Sequence, residues 1–279
     1  MTKTKRMLLT QLGFVDVVVE LLDARIPHSS QNPDIDNLAI GKKRVLVLNK
    51  ADLADPKATA LWEEHFKAKG FFALPMNSKP PQGKTRGGIG KLTDALANTM
   101  EEKIERQRAR GRIGSAIKVM IVGIPNVGKS TFINLLAGKS SAKTADKPGV
   151  TRGRQWIKAE GFDLLDTPGI LWPKFENPLV GLNLASTGAI SDTVFDKIAL
   201  AEHLLLQLDG IDPNLVQNRY FKKAATPTPS LEEIGLARGF MLKGGKTDNL
   251  RTAIILLDEF RGGKLGRITL EKPQEFTIL

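Results

Sequence analysis

Apolar residues fall along this chain in two rhythms, and the rhythm changes once, near residue 175. Before that point, short β-branched or aromatic runs alternate with amphipathic stretches. Val15–Asp23, Arg44–Leu48, Phe71–Pro75 and Ile117–Val122 have strand length and predict buried strands. Gln155–Ala159 and Phe162–Leu165 predict a hairpin turning at Glu160-Gly161. Asp55 with Pro56 opens a helix running to about Lys69, because an aspartate cap followed by proline suits a first turn. Ile89, Leu92, Ala95, Leu96, Met100 and Ile104 keep helical spacing toward Arg110, and Thr131–Leu136 forms another amphipathic stretch. Residues 1–13 show no strong period. After Pro173 only helical spacing remains, over Leu179–Ile190, Val194–Leu208, Pro213–Lys222, Leu231–Leu242 and Leu250–Phe260. Ser230 and Glu233 make a capping box before the fourth of these. The pattern predicts an α/β domain over residues 1–175 and a smaller all-helical domain over residues 178–279.

Composition narrows the function classes. Hydrophobic residues make up 41% of the 279, enough for a real core. No apolar run reaches about 18 residues and no signal-peptide pattern is present, so a cytoplasmic protein without a membrane partner is expected. There are no cysteines, which excludes disulfides and cysteine-based zinc sites. His28, His65 and His203 are scattered and form no metal spacing. The net charge of +11 is unevenly placed. Residues 1–175 hold 29 Lys+Arg against 17 Asp+Glu, whereas residues 176–279 hold 12 against 13. A first half this basic suits a polyanionic partner, RNA first, with solubility as the bland alternative. The charged stretch Glu101–Arg112 reads as a solvated helix end and linker, with an RNA contact as the weaker alternative.

The chemistry concentrates at residues 123–130, Gly-Ile-Pro-Asn-Val-Gly-Lys-Ser. This is a GxxxxGK[ST] loop between a predicted strand and a predicted helix, the context a phosphate cradle needs. The N–H groups of Asn126, Val127, Gly128 and Thr131 face phosphate, Lys129 reaches the β- and γ-phosphates, and Ser130 holds Mg²⁺. Asn49-Lys50-Ala51-Asp52 selects the base. A carboxylate at Asp52 accepts from guanine N1–H and the 2-amino group, a donor pair adenine lacks. Asn49 takes the other edge of guanine, and Lys50 covers the base. Asn77-Ser78-Lys79 follows the next strand, where the Ser78 N–H could meet guanine O6. Asp166-Thr167-Pro168-Gly169 ends a later strand, so Asp166 holds Mg²⁺ through water and the Gly169 N–H senses the γ-phosphate. Thr151 is placed to close over Mg²⁺ and the γ-phosphate.

These motifs stand in an abnormal order. GTPases ordinarily run from phosphate loop to Thr, DxxG, NKxD and SAK, whereas here NKAD and NSK come first. The set predicts a circularly permuted P-loop GTPase domain followed by the helical domain. The chain then leaves the sheet just after Gly169, so the helical domain must anchor a loop that would otherwise be a frayed end.

With that order the chain resembles the circularly permuted ribosome-assembly GTPases, closest to the YlqF/RbgA family. The residues that carry the resemblance are DARIP at 23–27 with Asn32-Pro33, NKAD at 49–52, GIPNVGKS at 123–130, PGVT at 148–151, DTPGILWPK at 166–174 and the Gly181–Ile190 stretch. It covers essentially the whole chain. The resemblance implies particle-stimulated GTP hydrolysis coupled to late maturation of the large (50S) ribosomal subunit, with GTP and GDP as ligands and rRNA contacts from both domains. A monomer is expected. Asn126 matches an asparagine that coordinates K⁺ in potassium-stimulated relatives; a loop-stabilising hydrogen bond is the other reading. Ile170 stands where many GTPases carry a water-orienting glutamine. The family's Phe-Pro-Gly-His-Met start, whose histidine positions water, has no counterpart before Met1-Thr2-Lys3. A truncated start or slow hydrolysis would each account for that, and no catalytic base is assigned. Two rivals follow: a GTP-dependent RNA- or ribosome-binding module that scarcely hydrolyses, and a P-loop ATPase or small-molecule kinase. Any RNA contact from the neutral helical half would use Arg219/Lys222/Lys223 or Arg261/Lys264/Arg267.

Overall fold

The computed structural model describes residues 3–79, 88–111, 116–138, 156–159, 161–169, 171–172, 175, 177–222 and 229–276. Thr151, the rest of Pro148–Thr151, and Ile170 lie outside the described residues. Six strands form one sheet: β1 (Val17–Asp23), β2 (Lys43–Asn49), β3 (Phe72–Pro75), β4 (Ile117–Gly123), β5 (Trp156–Ala159) and β6 (Phe162–Asp166). Their order is β3-β2-β1-β4-β6-β5, with only the edge strand β5 antiparallel. Every residue of β1 is buried, which is why its sequence is a continuous apolar run rather than an alternating one. Glu20 and Asp23 are the exceptions: Arg44 pairs with Glu20 inside, and Arg25 and Lys50 pair with Asp23.

Helices pack on this sheet: α1 (Lys3–Leu12), α2 (Pro33–Leu38), α3 (Pro56–Ala68), α4 (Ile89–Thr99), α5 (Glu101–Ala109) and α6 (Lys129–Ala137). Five more follow: α7 (Pro178–Ser186), α8 (Lys197–Ile211), α9 (Asn214–Tyr220), α10 (Leu231–Arg238) and α11 (Asn249–Arg261). This is the α/β permuted arrangement followed by helices. One buried cluster runs from β1, β2 and β4 through Leu184, Leu204, Leu208 and Leu256, so sheet and later helices share apolar core.

Four local differences from the sequence pattern have physical causes. Residues 3–12 are helical because Leu8 and Leu12, one turn apart, bury against Val15, Val18 and Met120. Asn32 caps α2 by accepting from the Asp34 N–H, with Pro33 in the first turn. The stretch toward Arg110 breaks into α4 and α5 at buried Met100. The helix from Leu231 stops at Arg238 because Gly239 turns left-handed at φ 68°.

Candidate functional site

The carboxyl ends of parallel strands are where α/β sheets bind ligands, and the expected motifs gather there. Strand β4 ends at Gly123 and α6 begins at Lys129, so residues 124–128 form the loop between them. Gly123 has φ 155°, and a Cβ there would lie 2.7 Å from the Leu21 carbonyl oxygen. Gly128 has φ 101°, and a Cβ there would lie 2.6 Å from Asn49 Nδ2. Both positions therefore need glycine for conformation and for room.

Asn49 is the joint of the site. It is 1% exposed, and its Nδ2 donates to the Val127 carbonyl at 2.7 Å. Its Oδ1 accepts from the Ser78 N–H at 3.1 Å and from Ser78 Oγ at 2.7 Å. One buried amide thus ties together three segments far apart in the chain. Ser78, expected to offer its N–H to guanine O6, turns that N–H to Asn49 here. The cause is burial: an amide oxygen with no water must find protein donors. Asn77 turns locally, its Oδ1 accepting from the Lys79 N–H at 2.8 Å.

Lys50 reaches back from the same loop and donates from Nζ to Asp23 Oδ2 at 3.0 Å. Asp23 also takes a two-pronged bond from Arg25, at 2.9 and 2.7 Å. Burial alone would raise the Asp23 carboxyl, but the Arg25 and Lys50 cations win and hold it well below the usual range. Asp52 stays exposed beyond this cluster. Among the described residues, the non-glycine positions with positive φ are Lys50 (58°) and Asn126 (57°). Both belong to this site, where such strain collects.

Lys129 lies over the loop, and its Nζ donates to the Gly123 and Ile124 carbonyls at 3.2 and 3.1 Å. Burial lowers its pKa, with Asp166 opposing; burial likewise raises Asp166, with Lys129 opposing. The segment after β6 folds against the loop. Thr167 Oγ1 donates to the Ile121 carbonyl at 2.6 Å, and a Cβ on Gly169 would lie 2.9 Å from Pro125 Cα. A cleft of about 480 Å³ opens here, lined by Asn126, Lys129, Ser130, Asp166 and Gly169, with Met7 and Gln11 from α1. A hydroxyl and a carboxylate in one cleft are hard oxygen donors, which fit Mg²⁺ held chiefly by phosphates. Among the described residues no cluster of three or more His, Asp or Glu could hold a metal without such a ligand.

Sequence reasoning missed three features. Gln11 lines the cleft from a helix that showed no clear period. Asn126 Nδ2 donates to the Gly188 carbonyl at 2.8 Å, at the end of α7, so the phosphate loop touches the later helices directly. Residues 267–271 run back across the sheet domain, and Glu271 lies buried beneath Ser29 and Asn183. Within the basic clusters expected to face RNA, the three arginines have partners in the protein, while Lys222 and Lys264 are exposed. Arg219 pairs with Glu259, Arg261 grips Asp192 and the Ala185 and Ser186 carbonyls, and Arg267 grips the Ala51 and Ala54 carbonyls. Lys223 lies outside the described residues.

Comparisons agree with this geometry. Residues 118–229 match the family model described as 50S ribosome-binding GTPase; Asn49–Asp52 falls upstream of that match. The chain is 45% identical over 280 residues to ribosome biogenesis GTPase A of Bacillus cereus, covering 99% of this chain and 93% of that one. It is 44% identical to the protein of the same name from Priestia megaterium, covering 99% and 95%. A crystal structure of GNP-bound YlqF from T. maritima superposes with a TM-score of 0.68 at 27% identity, covering 98% of this chain and 99% of that one. On these grounds the chain belongs to the ribosome biogenesis GTPase A family and is a GTP hydrolase.

Proposed function

We propose that this protein is a GTP-driven switch in late assembly of the large (50S) ribosomal subunit, acting in the cytoplasm as a monomer on the precursor particle and its rRNA. The observation that carries the reading is the Asn49 amide, which joins the base-reading loop, Ser78 and the phosphate loop into one site despite the permuted order. In this reading Asp52 accepts from the guanine N1–H and 2-amino groups, and the remaining Asn49 N–H faces the base. Lys129 moves from its loop carbonyls to the β- and γ-phosphates. Ser130 and Asp166 hold Mg²⁺, joined by Thr151; the ion adds positive charge beside the phosphates when bound. The Gly169 N–H senses the γ-phosphate. Because Asn126 must present Nδ2 to the Gly188 carbonyl, its Oδ1 is the end that a K⁺ would use. Both readings of Asn126, loop brace and K⁺ ligand, then hold together.

The basic excess of residues 1–175 supports an rRNA contact made chiefly by that half. Sedimentation of the protein with 50S precursor particles tests the switch. Binding is expected with a non-hydrolysable GTP analogue, to weaken with GDP, and to fall steeply with salt. Equal binding in both nucleotide states would sink the proposal.

A further inference from the structure

Asp52 is exposed, but the backbone around it is not left to itself. Arg267 Nε donates to the Ala54 carbonyl at 2.9 Å, and its Nη2 donates to the Ala51 carbonyl at 2.8 Å. The Ile268 N–H donates to the Leu53 carbonyl at 2.9 Å. The Asp55 N–H donates to Thr269 Oγ1 at 3.1 Å, and that hydroxyl donates on to the Ala24 carbonyl at 3.3 Å. Backbone groups on both sides of Asp52 are thus held by three consecutive residues more than two hundred positions away. Leu53 adds apolar contact: a Cβ on Gly263 would lie 2.7 Å from it, so the turn after α11 closes tightly on the loop.

We infer that Arg267 and Thr269 are positioning residues for guanine recognition, fixing the register of residues 51–55 so that the Asp52 carboxylate meets both guanine donors. The inference rests on the reading of Asp52 as the guanine contact. Its physical basis is that a two-point hydrogen bond tolerates little displacement, so a loop merely present but loose reads the base poorly. In this role Arg267 acts through the loop backbone, by the Ala51 and Ala54 carbonyls. Its planar fork spans two carbonyls of one loop, which a lysine cannot do.

The test is a comparison of GDP and IDP affinities by titration of the full chain. IDP lacks only the 2-amino group, so a site that uses a charged acceptor there favours GDP by about 10-fold or more. Arg267→Ala and Thr269→Val are each expected to cut that preference by about 3-fold or more, with Arg267→Lys intermediate. Asp52→Asn is expected to abolish it. A role in stability alone would lower the melting temperature and leave the ratio untouched. If Asp52→Asn abolishes the preference while both tail variants keep it, the positioning role is overturned. An Asp52→Asn protein that still prefers GDP overturns the Asp52 reading and the inference with it. Thr269→Val, nearly isosteric, keeps the test open if Arg267→Ala does not fold.

Discussion

Gly128 shows how narrow the tolerances of the site are. At φ 101° an alanine is strained, and its Cβ would meet Asn49 Nδ2 at 2.6 Å. Gly128→Ala must therefore push the Asn49 amide off the Val127 carbonyl and loosen its hold on Ser78. Guanine nucleotide affinity is expected to fall at least about 10-fold, measured by fluorescent GDP titration. Glu271 gives a second residue-scale prediction. Burial raises its pKa from 4.5 to about 7, outweighing the bonds it accepts from Ser29, Asn183 and the His28 N–H. A carboxyl raised on folding stabilises the fold while protonated, so its contribution is full below about pH 4.5 and is lost as pH rises through about 7. Relative to Glu271→Gln, which cannot ionise, wild-type stability should drop by about 3 kcal/mol from acid to alkaline pH. Denaturant midpoints measured across that range check it; a flat difference would contradict a carboxyl buried among neutral donors.

Among the elements, α1 carries weight that its sequence hides. Leu8 is 1% exposed and sits in the small cluster with Val15, Met120 and Leu165. Leu8→Ala is expected to cost about 2–4 kcal/mol, read as a shift in the chemical denaturation midpoint. It should also slow hydrolysis, since α1 brings Met7 and Gln11 to the cleft. Why was α1 not legible? Its first turns are polar and basic, and its two apolar anchors are too few to set a period. The strands were legible because β1, β2 and β4 are buried on both faces over most of their length and read as nearly continuous apolar runs. The nucleotide loops were legible because phosphate binding needs particular residues at fixed short spacings. What joins those loops was not. The Asn126–Gly188 and Arg267–Ala51 bonds span long stretches of chain, and no local pattern encodes a partner so far away. The same cause misplaced Arg219, Arg261 and Arg267, which look like exposed basic clusters until their carboxylate and carbonyl partners are seen.

Across the whole molecule, the permuted order changes what the later helices can do. They touch the nucleotide site at two ends. Asn126, in the loop after β4, meets Gly188, and residues 267–269 hold the loop around Asp52. Arg261 links the two, since its guanidinium holds the end of α7 while its carbonyl accepts from Arg25 at 3.3 Å. A particle that binds these helices therefore has a mechanical route to both the phosphate and the base. That route makes stimulated hydrolysis the sharpest measurement: single-turnover GTP hydrolysis with and without 50S precursor particles, in K⁺ and again in Na⁺. Slow turnover alone, at least about 10-fold acceleration by particles, and a further gain in K⁺ over Na⁺ are expected. A rate unchanged by particles would contradict that route.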